Sequence, residues 1–310
     1  MSFIPPYTTT LIFDIGTKHT LIGYAGDFHP TYFISTPQSI HSEMAETICK
    51  IIETYVKMAM ADSIVILEPN NFQEECKLKI LSFLFSNKLV QSLVFLNSRV
   101  AETFGAGKTT ASILNCSFSS ISSALVINGK LTELQTYEDG ANFIKTQLTE
   151  QIKNLGKKST MLSEIFEENI DLESDRILYS LLESPEKINL LNQKYKIDLF
   201  KISKVSILKA IDAINESRVQ NCMNKKNTLT SCIILTGGLF KYEAFYEFVK
   251  SNLIEKIGAD FNDFILRDKD LIYSFVGASL FGMNNHAKPM YITAHDWKSI
   301  GSEIIKIKGF

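Results

Sequence analysis

A pattern of strand, tight turn, strand, strand and helix occurs twice in this chain, and a repeat of that kind leaves few folds open to it. In the first copy, Leu11–Phe13 and Leu21–Ala25 are short β-forming runs around a turn holding Asp14, Gly16 and Thr17. The turn-rich stretch from Asp27 to Pro37 predicts a third strand. A helix follows from Glu43 to Met60, where Ile48, Ile51, Ile52, Tyr55 and Val56 recur at helical spacing. Ser63–Leu67 and Ser92–Leu96 read as buried strands, with helices over Phe72–Ser86 and Arg99–Phe104. The second copy opens with strands at Ser112–Leu114 and Ser123–Ile127. Asn128-Gly129, a strong two-residue hairpin signal, leads into a third strand at Lys130–Gln135 and a helix over Asn142–Leu155. The repetition predicts a duplicated α/β domain in two lobes.

Composition narrows the class. With 310 residues and 45% hydrophobic content the chain can bury a sizeable core in two lobes. A formal net charge of −2 supplies no global positive field for nucleic acid or anionic lipid. The cysteines (Cys49, Cys76, Cys116, Cys222 and Cys232) include no CxxC pair and read as reduced thiols rather than a disulfide framework or zinc site. His19, His29, His41, His286 and His295 lack metal-ligand spacing. The opening Met1-Ser-Phe-Ile-Pro-Pro6 is not patterned as a signal peptide, and no apolar run approaches the ~18 residues of a membrane span. The expectation is a soluble intracellular protein.

Three motifs carry more. Asp14-Ile-Gly-Thr-Lys-His-Thr-Leu-Ile-Gly-Tyr-Ala-Gly-Asp27 joins two strands through a small-residue turn. Ile233-Ile-Leu-Thr-Gly-Gly-Leu-Phe-Lys-Tyr242 runs a buried strand into a Gly-Gly turn and then a helix from Leu239 to Lys256. On this reading Gly238 lets the strand turn tightly, so a bulky residue there should disrupt folding. The chain closes on Met290-Tyr-Ile-Thr-Ala-His-Asp-Trp-Lys-Ser-Ile-Gly-Ser-Glu-Ile-Ile-Lys-Ile-Lys-Gly-Phe310. Gly105-Ala-Gly-Lys-Thr-Thr110 imitates a phosphate-binding P-loop, but Glu102 occupies the place of its required first glycine.

In order and spacing these motifs resemble the actin-related proteins, over roughly 11–37, 60–148 and 230–310, with 156–229 matching poorly. The resemblance implies a two-lobed actin/Hsp70-type α/β fold of duplicated RNase H-like domains. It divides the chain into a first lobe at 1–128, with 280–310 packing back on it, and a second at 129–310 carrying a divergent helical segment at 156–229. Actin-fold ATPases hold ATP between two hairpin turns whose N–H groups cradle the phosphates. If ATP or ADP is held here, the resemblance nominates Asp14, Gly16, Thr17, Gly237, Gly238 and Tyr242, the last beside the base. No nucleotide is required, no metal ligand is named, and catalytic residues are absent.

The departures from the family are chemical. Lys18 replaces a glycine, and Leu21 stands where actin has its phosphate-facing lysine, removing a contact on the order of 1.5–3 kcal/mol. In the second loop Asn115-Cys-Ser-Phe-Ser119 stands for Asp-Ser-Gly-Asp-Gly, so both carboxylates and both glycines are gone. Ser98 takes the place of the water-positioning glutamine and Ser122 that of a neighbouring histidine. Hydrolysis is therefore not expected. The short interval between Asp27 and Glu43 implies that the outer subdomains are strongly reduced. A subunit with an intact base and a pruned top would stop a head-to-tail filament at its pointed end.

That pattern is closest to the divergent pointed-end group of dynactin, the dynein activator. It implies a non-catalytic scaffold in the cytoplasm and cytoskeleton, serving dynein-driven transport along microtubules, including nuclear migration. Its partners would be actin-related filament subunits and other pointed-end proteins in a hetero-oligomer, without direct nucleic-acid or membrane contact. Tyr291 to Ile305 and Phe310 would lie near the docking face. The alternative is an actin-related subunit of a nuclear chromatin-remodelling complex.

Overall fold

A computed structural model describes residues 9–41, 43–69, 72–155, 165–166, 174–224, 232–258 and 264–308. In chain order the first elements are β1 (Thr10–Ile15), β2 (His19–Tyr24), β3 (Tyr32–Ser35), α1 (Met44–Ala59), β4 (Ser63–Glu68), α2 (Glu74–Ser86), β5 (Ser92–Asn97) and α3 (Ser98–Gly105). Then come β6 (Ala111–Cys116), β7 (Ile121–Ile127), β8 (Lys130–Tyr137), α4 (Ala141–Asn154), α5 (Arg176–Leu182), α6 (Pro185–Tyr195) and α7 (Leu199–Asn224). The chain continues with β9 (Ile233–Thr236), α8 (Glu243–Ile257), β10 (Ile265–Arg267) and α9 (Tyr273–Met283). It ends with β11 (Ile292–Thr293), α10 (Ala294–Ile300) and α11 (Ile304–Lys308). Described residues within 1–109, 128–131 and 272–310 form one compact unit, and those within 110–127 and 132–271 a second.

Both units are mixed α/β. Among the described residues, the first holds a sheet in the order β11-β5-β4-β1-β2-β3 and the second one in the order β10-β9-β6-β7-β8. β1, β4 and β5 run parallel while β2 and β3 form an antiparallel meander on β1. β6, β9 and β10 run parallel, and β7 lies antiparallel to β6. Setting β11 aside, the two sheets share one strand order, with each meander on the same side of its first strand. Asn128 and Gly129, at φ 52° and 75°, join β7 to β8 with the double positive φ that a primed hairpin turn requires.

The alternation of a strand explains where each core sits. On β1, Leu11, Phe13 and Ile15 face a cluster with Ile48, Ile52 and Val56 of α1 and Ile80, Leu81 and Leu84 of α2. Each such aliphatic side chain contributes about 1.5–3 kcal/mol when fully buried. Ile292, Ile304 and Ile305 close that cluster from the C-terminal segment. In the second unit, Leu114, Cys116, Ile121, Ile233 and Leu235 of the sheet meet Ile144 and Leu148 of α4, Ile207 and Ile211 of α7, and Phe245 and Val249 of α8.

The largest shift from the sequence reading in a helix start is at the helix after β9. Gly238–Lys241 forms a separate 3-10 turn, and the helix proper begins at Glu243 rather than Leu239. Arg267 fixes that turn: its Nε donates to the Phe240 carbonyl at 2.7 Å, and its Nη2 to the Lys241 carbonyl at 3.0 Å. Phe310, expected near the docking face, lies outside the described residues.

Candidate functional site

In open sheets with parallel strands, ligands sit beyond the carboxyl ends of those strands. In the first unit these ends gather a charged cluster. Asp14 is the penultimate residue of β1, Glu68 closes β4 and Asn97 closes β5. Asn97 caps α3 by accepting from the Arg99 N–H at 2.9 Å, so α3 begins where the strand stops. This places the buried Arg99 beside the cluster, where its Nη1 meets both Glu102 oxygens at 2.6 Å. Lys77 of α2 ion-pairs with Glu68, and its ammonium lies 5.7 Å from the Phe95 ring centre.

Burial shifts both strand-end carboxyls. Asp14 is pushed above its ordinary 3.8 by desolvation, which outweighs the hydrogen bond donated by Ser274 and the field of Arg99. Glu68 is raised for the same reason, against the opposing pull of Lys77. Raised carboxyls with nearby cations at strand ends are a pattern of functional sites. Among the described residues no group of three His, Cys, Asp or Glu side chains is placed to hold a metal ion.

Linkage gives Asp14 a measurable signature. A carboxyl with a raised folded pKa binds more protons folded than unfolded, so its contribution to stability falls as pH rises through that range. Asp14→Asn is expected to be more stable than wild type at pH 7, with the advantage vanishing below about pH 3.8, where both states are protonated. Urea titrations of both proteins across pH 3 to 8 check it.

Gly16 and Thr17 sit in the turn that follows Asp14. The Gly16 N–H donates to the His19 carbonyl at 2.9 Å, and the Thr36 hydroxyl donates to the Gly16 carbonyl at 2.7 Å. A Cβ on Gly16 would come within 2.9 Å of the His19 carbonyl oxygen, so the turn is tight. The register sets Leu21 directly across from Asp14, which leaves no cation on that neighbouring position. Ser98 is turned away from solution chemistry, since its hydroxyl donates to the Glu68 main-chain carbonyl.

The turn between β6 and β7 repeats this geometry with other chemistry. Its Ser117 N–H donates to the Ser120 carbonyl at 2.9 Å, as Gly16 does to His19. Asn115 occupies the register position of Asp14, with Ser122 opposite it. Here the Ser117 hydroxyl accepts from the Ser120 N–H at 3.2 Å and donates to the Ser120 carbonyl at 3.0 Å. An N–H that an open phosphate loop would aim outward is thus taken from within. The loop is also held from behind: the Ala141 and Asn142 N–H groups donate to the Ser117 and Phe118 carbonyls at 3.0 and 2.9 Å.

Gly237, Gly238 and Tyr242 share the turn after β9. Gly237 takes φ 99°, and a Cβ there would lie 2.5 Å from the Cys116 carbonyl oxygen. Gly238 has no positive φ, and a Cβ on it would meet nothing within 4 Å. The requirement for glycine therefore falls on Gly237, and the expectation for Gly238 is corrected. The Tyr242 ring stacks on Tyr179 at 5.6 Å between centroids and 13° between planes, so one of its faces is already covered. Burial pushes its hydroxyl up to about 12.

The segment Tyr291 to Ile305 belongs to the first unit. Thr293 and Asp296 form a capping box on α10, and Lys308 donates to Asp296 and to the Tyr291 carbonyl, both at 2.7 Å. The Lys308 hydrogen bond, with the Thr293 N–H, holds the Asp296 carboxyl down at about 2.

Sequence reasoning does not single out Arg99, Glu68, Lys77 or Ser274, and it names Glu102 only as the residue that breaks the P-loop pattern. A usable signal was present in Arg99 and Glu102: two opposite charges at i and i+3 beside Val100 and Ala101, at the end of an apolar strand. No protein-family model matches the chain, and no curated protein sequence matches it. No helix among the described residues is long and apolar enough to cross a membrane.

Proposed function

We propose that this protein is a non-catalytic member of the actin-related family, with an actin/Hsp70-type fold and reduced outer subdomains. It serves as a scaffold that caps the pointed end of an actin-related filament in dynactin. The observation that carries this reading is the shared strand order of the two sheets, whose hairpin turns are built alike but chemically unequal. The first turn keeps Asp14. The second offers Asn115 and a self-satisfied Ser117, with no carboxylate from Asn115 to Ser119.

The second turn does not fit its half of a hydrated metal–nucleotide site, because its organising carboxylate is missing and a hydroxyl closes it. No chemical step in this reading runs through a nucleotide. Pruning is supported by the brief passage from Ser35 at the end of β3 to Met44 at the start of α1. A subunit with little beyond that edge offers no top surface to a following one.

The test is a tagged pull-down from native cells with mass spectrometry of everything retained. Dynactin's filament-forming actin-related protein, with its shoulder and sidearm subunits, is the expected recovery. A nuclear remodelling ATPase in their place would move the protein to the chromatin class.

A further inference from the structure

Between Ala213 and Ser217, helix α7 meets the second unit's sheet mostly through small and polar side chains, and the contact leaves a gap. Ser112, Ser123 and Ala124 of the sheet, Ala213, Ile214 and Ser217 of the helix, and Glu133 and Gln135 of β8 line the space between them. Between them is a recess of about 10 Å³, partly open to solvent on the Gln135 side. That is room for one water molecule.

Two further observations point to an occupant. Two hydroxyl–carboxylate bonds fix the helix beside this space: Ser206 to Asp139, and Ser217 to Glu133. The Ser112 hydroxyl is also a wall of this cavity. Ser112 is 1% exposed, and among the described residues its hydroxyl oxygen has no hydrogen-bond partner. A buried hydroxyl left in that condition is destabilising, whereas a bridging water satisfies it. Apolar cavities of this size stay dry, but here hydroxyls, a carboxylate and an amide supply the two to four partners that a held water needs.

We propose that this cavity is a hydration site, in which one ordered water bridges the Ser112 hydroxyl to the Glu133, Gln135 and Ser217 side. The water then acts as part of the α7–sheet contact, tying Ser112 of β6 into it beside the direct bond from Ser217 to Glu133 of β8.

Crystal structures of the full chain and of Ser112→Ala, both at a resolution that shows ordered solvent, test this. Wild type is expected to show density within hydrogen-bond distance of Ser112 Oγ and of at least one of the other three side chains. That density should be lost or displaced in the variant. Density that stays in place in Ser112→Ala, or a wild-type cavity closed by a rotated side chain bonded to Ser112, would overturn the proposal. Thermal melts give an independent reading: loss of the bridge lowers the midpoint by about 2–4 °C. A midpoint that rises, as removal of an orphaned hydroxyl would make it, contradicts the site.

Discussion

Gly277→Ala is expected to lower the free energy of unfolding by at least about 3 kcal/mol, at the top of the range for overpacking by one methyl group. A Cβ at Gly277 would lie 1.8 Å from the Ala101 carbonyl oxygen and 2.8 Å from the Gly105 nitrogen. From the other side, a Cβ at Gly105 would lie 1.9 Å from the Tyr273 carbonyl oxygen. All of these obstacles are backbone, which cannot swing aside as a side chain does. Helices α3 and α9 would have to separate, pulling the buried Val100, Ala101, Phe275 and Ala278 out of register. Two ordinary benefits of alanine work against the loss, its helix propensity and its smaller unfolded-state entropy, each worth up to about 1 kcal/mol. The clash must exceed both.

Gly105→Ala should behave alike, and the double variant should lose less than the two singles added together. Once one methyl has forced the helices apart, the second finds space already made. Guanidinium titrations of the four proteins measure this directly. Strict additivity would mean that the two glycines do not share one contact.

The second large effect belongs to the turn after β9. Gly237→Ala is expected to be destabilising by about 3 kcal/mol or more, since φ 99° disfavours any L side chain and the Cβ would press within 2.5 Å of the Cys116 carbonyl oxygen. At Gly238 the same substitution should change stability by less than about 1 kcal/mol, and Gly238→Glu should also fold. Melting the three variants side by side decides between neighbouring glycines. A ranking with Gly238 as the sensitive position would show that the chain turns one residue later than described.

The contrast between those glycines shows what can be read from residues alone. A Gly-Gly pair after a buried strand announces a turn, because only local chemistry is involved. Which glycine carries the positive φ depends on where the end of β6 passes, and nothing adjacent in sequence records that. The two meanders were legible for the first reason: period-two apolar runs, Asp14–Thr17 and Asn128-Gly129 are all local signals. The α3–α9 contact was not, since Gly105 and Gly277 look like a helix stop and an ordinary helical glycine until distant segments meet. Asp14 and Gly16 were found through their motif. Arg99, Glu68 and Lys77 take their meaning from three strand ends assembled side by side, and no spacing in the chain encodes that.

Two hairpin turns of like geometry, one carrying Asp14 and the other no carboxylate from Asn115 to Ser119, are the chemical basis for the scaffold role proposed for this chain. Its place in an assembly is therefore the claim to test most directly. Electron microscopy of the complex recovered from native cells, with an antibody bound to a tag on this chain, would locate it. The account predicts one label per assembly, at the pointed end of a short actin-related filament. Labels spaced along the filament, or an assembly with no filament at all, would contradict it.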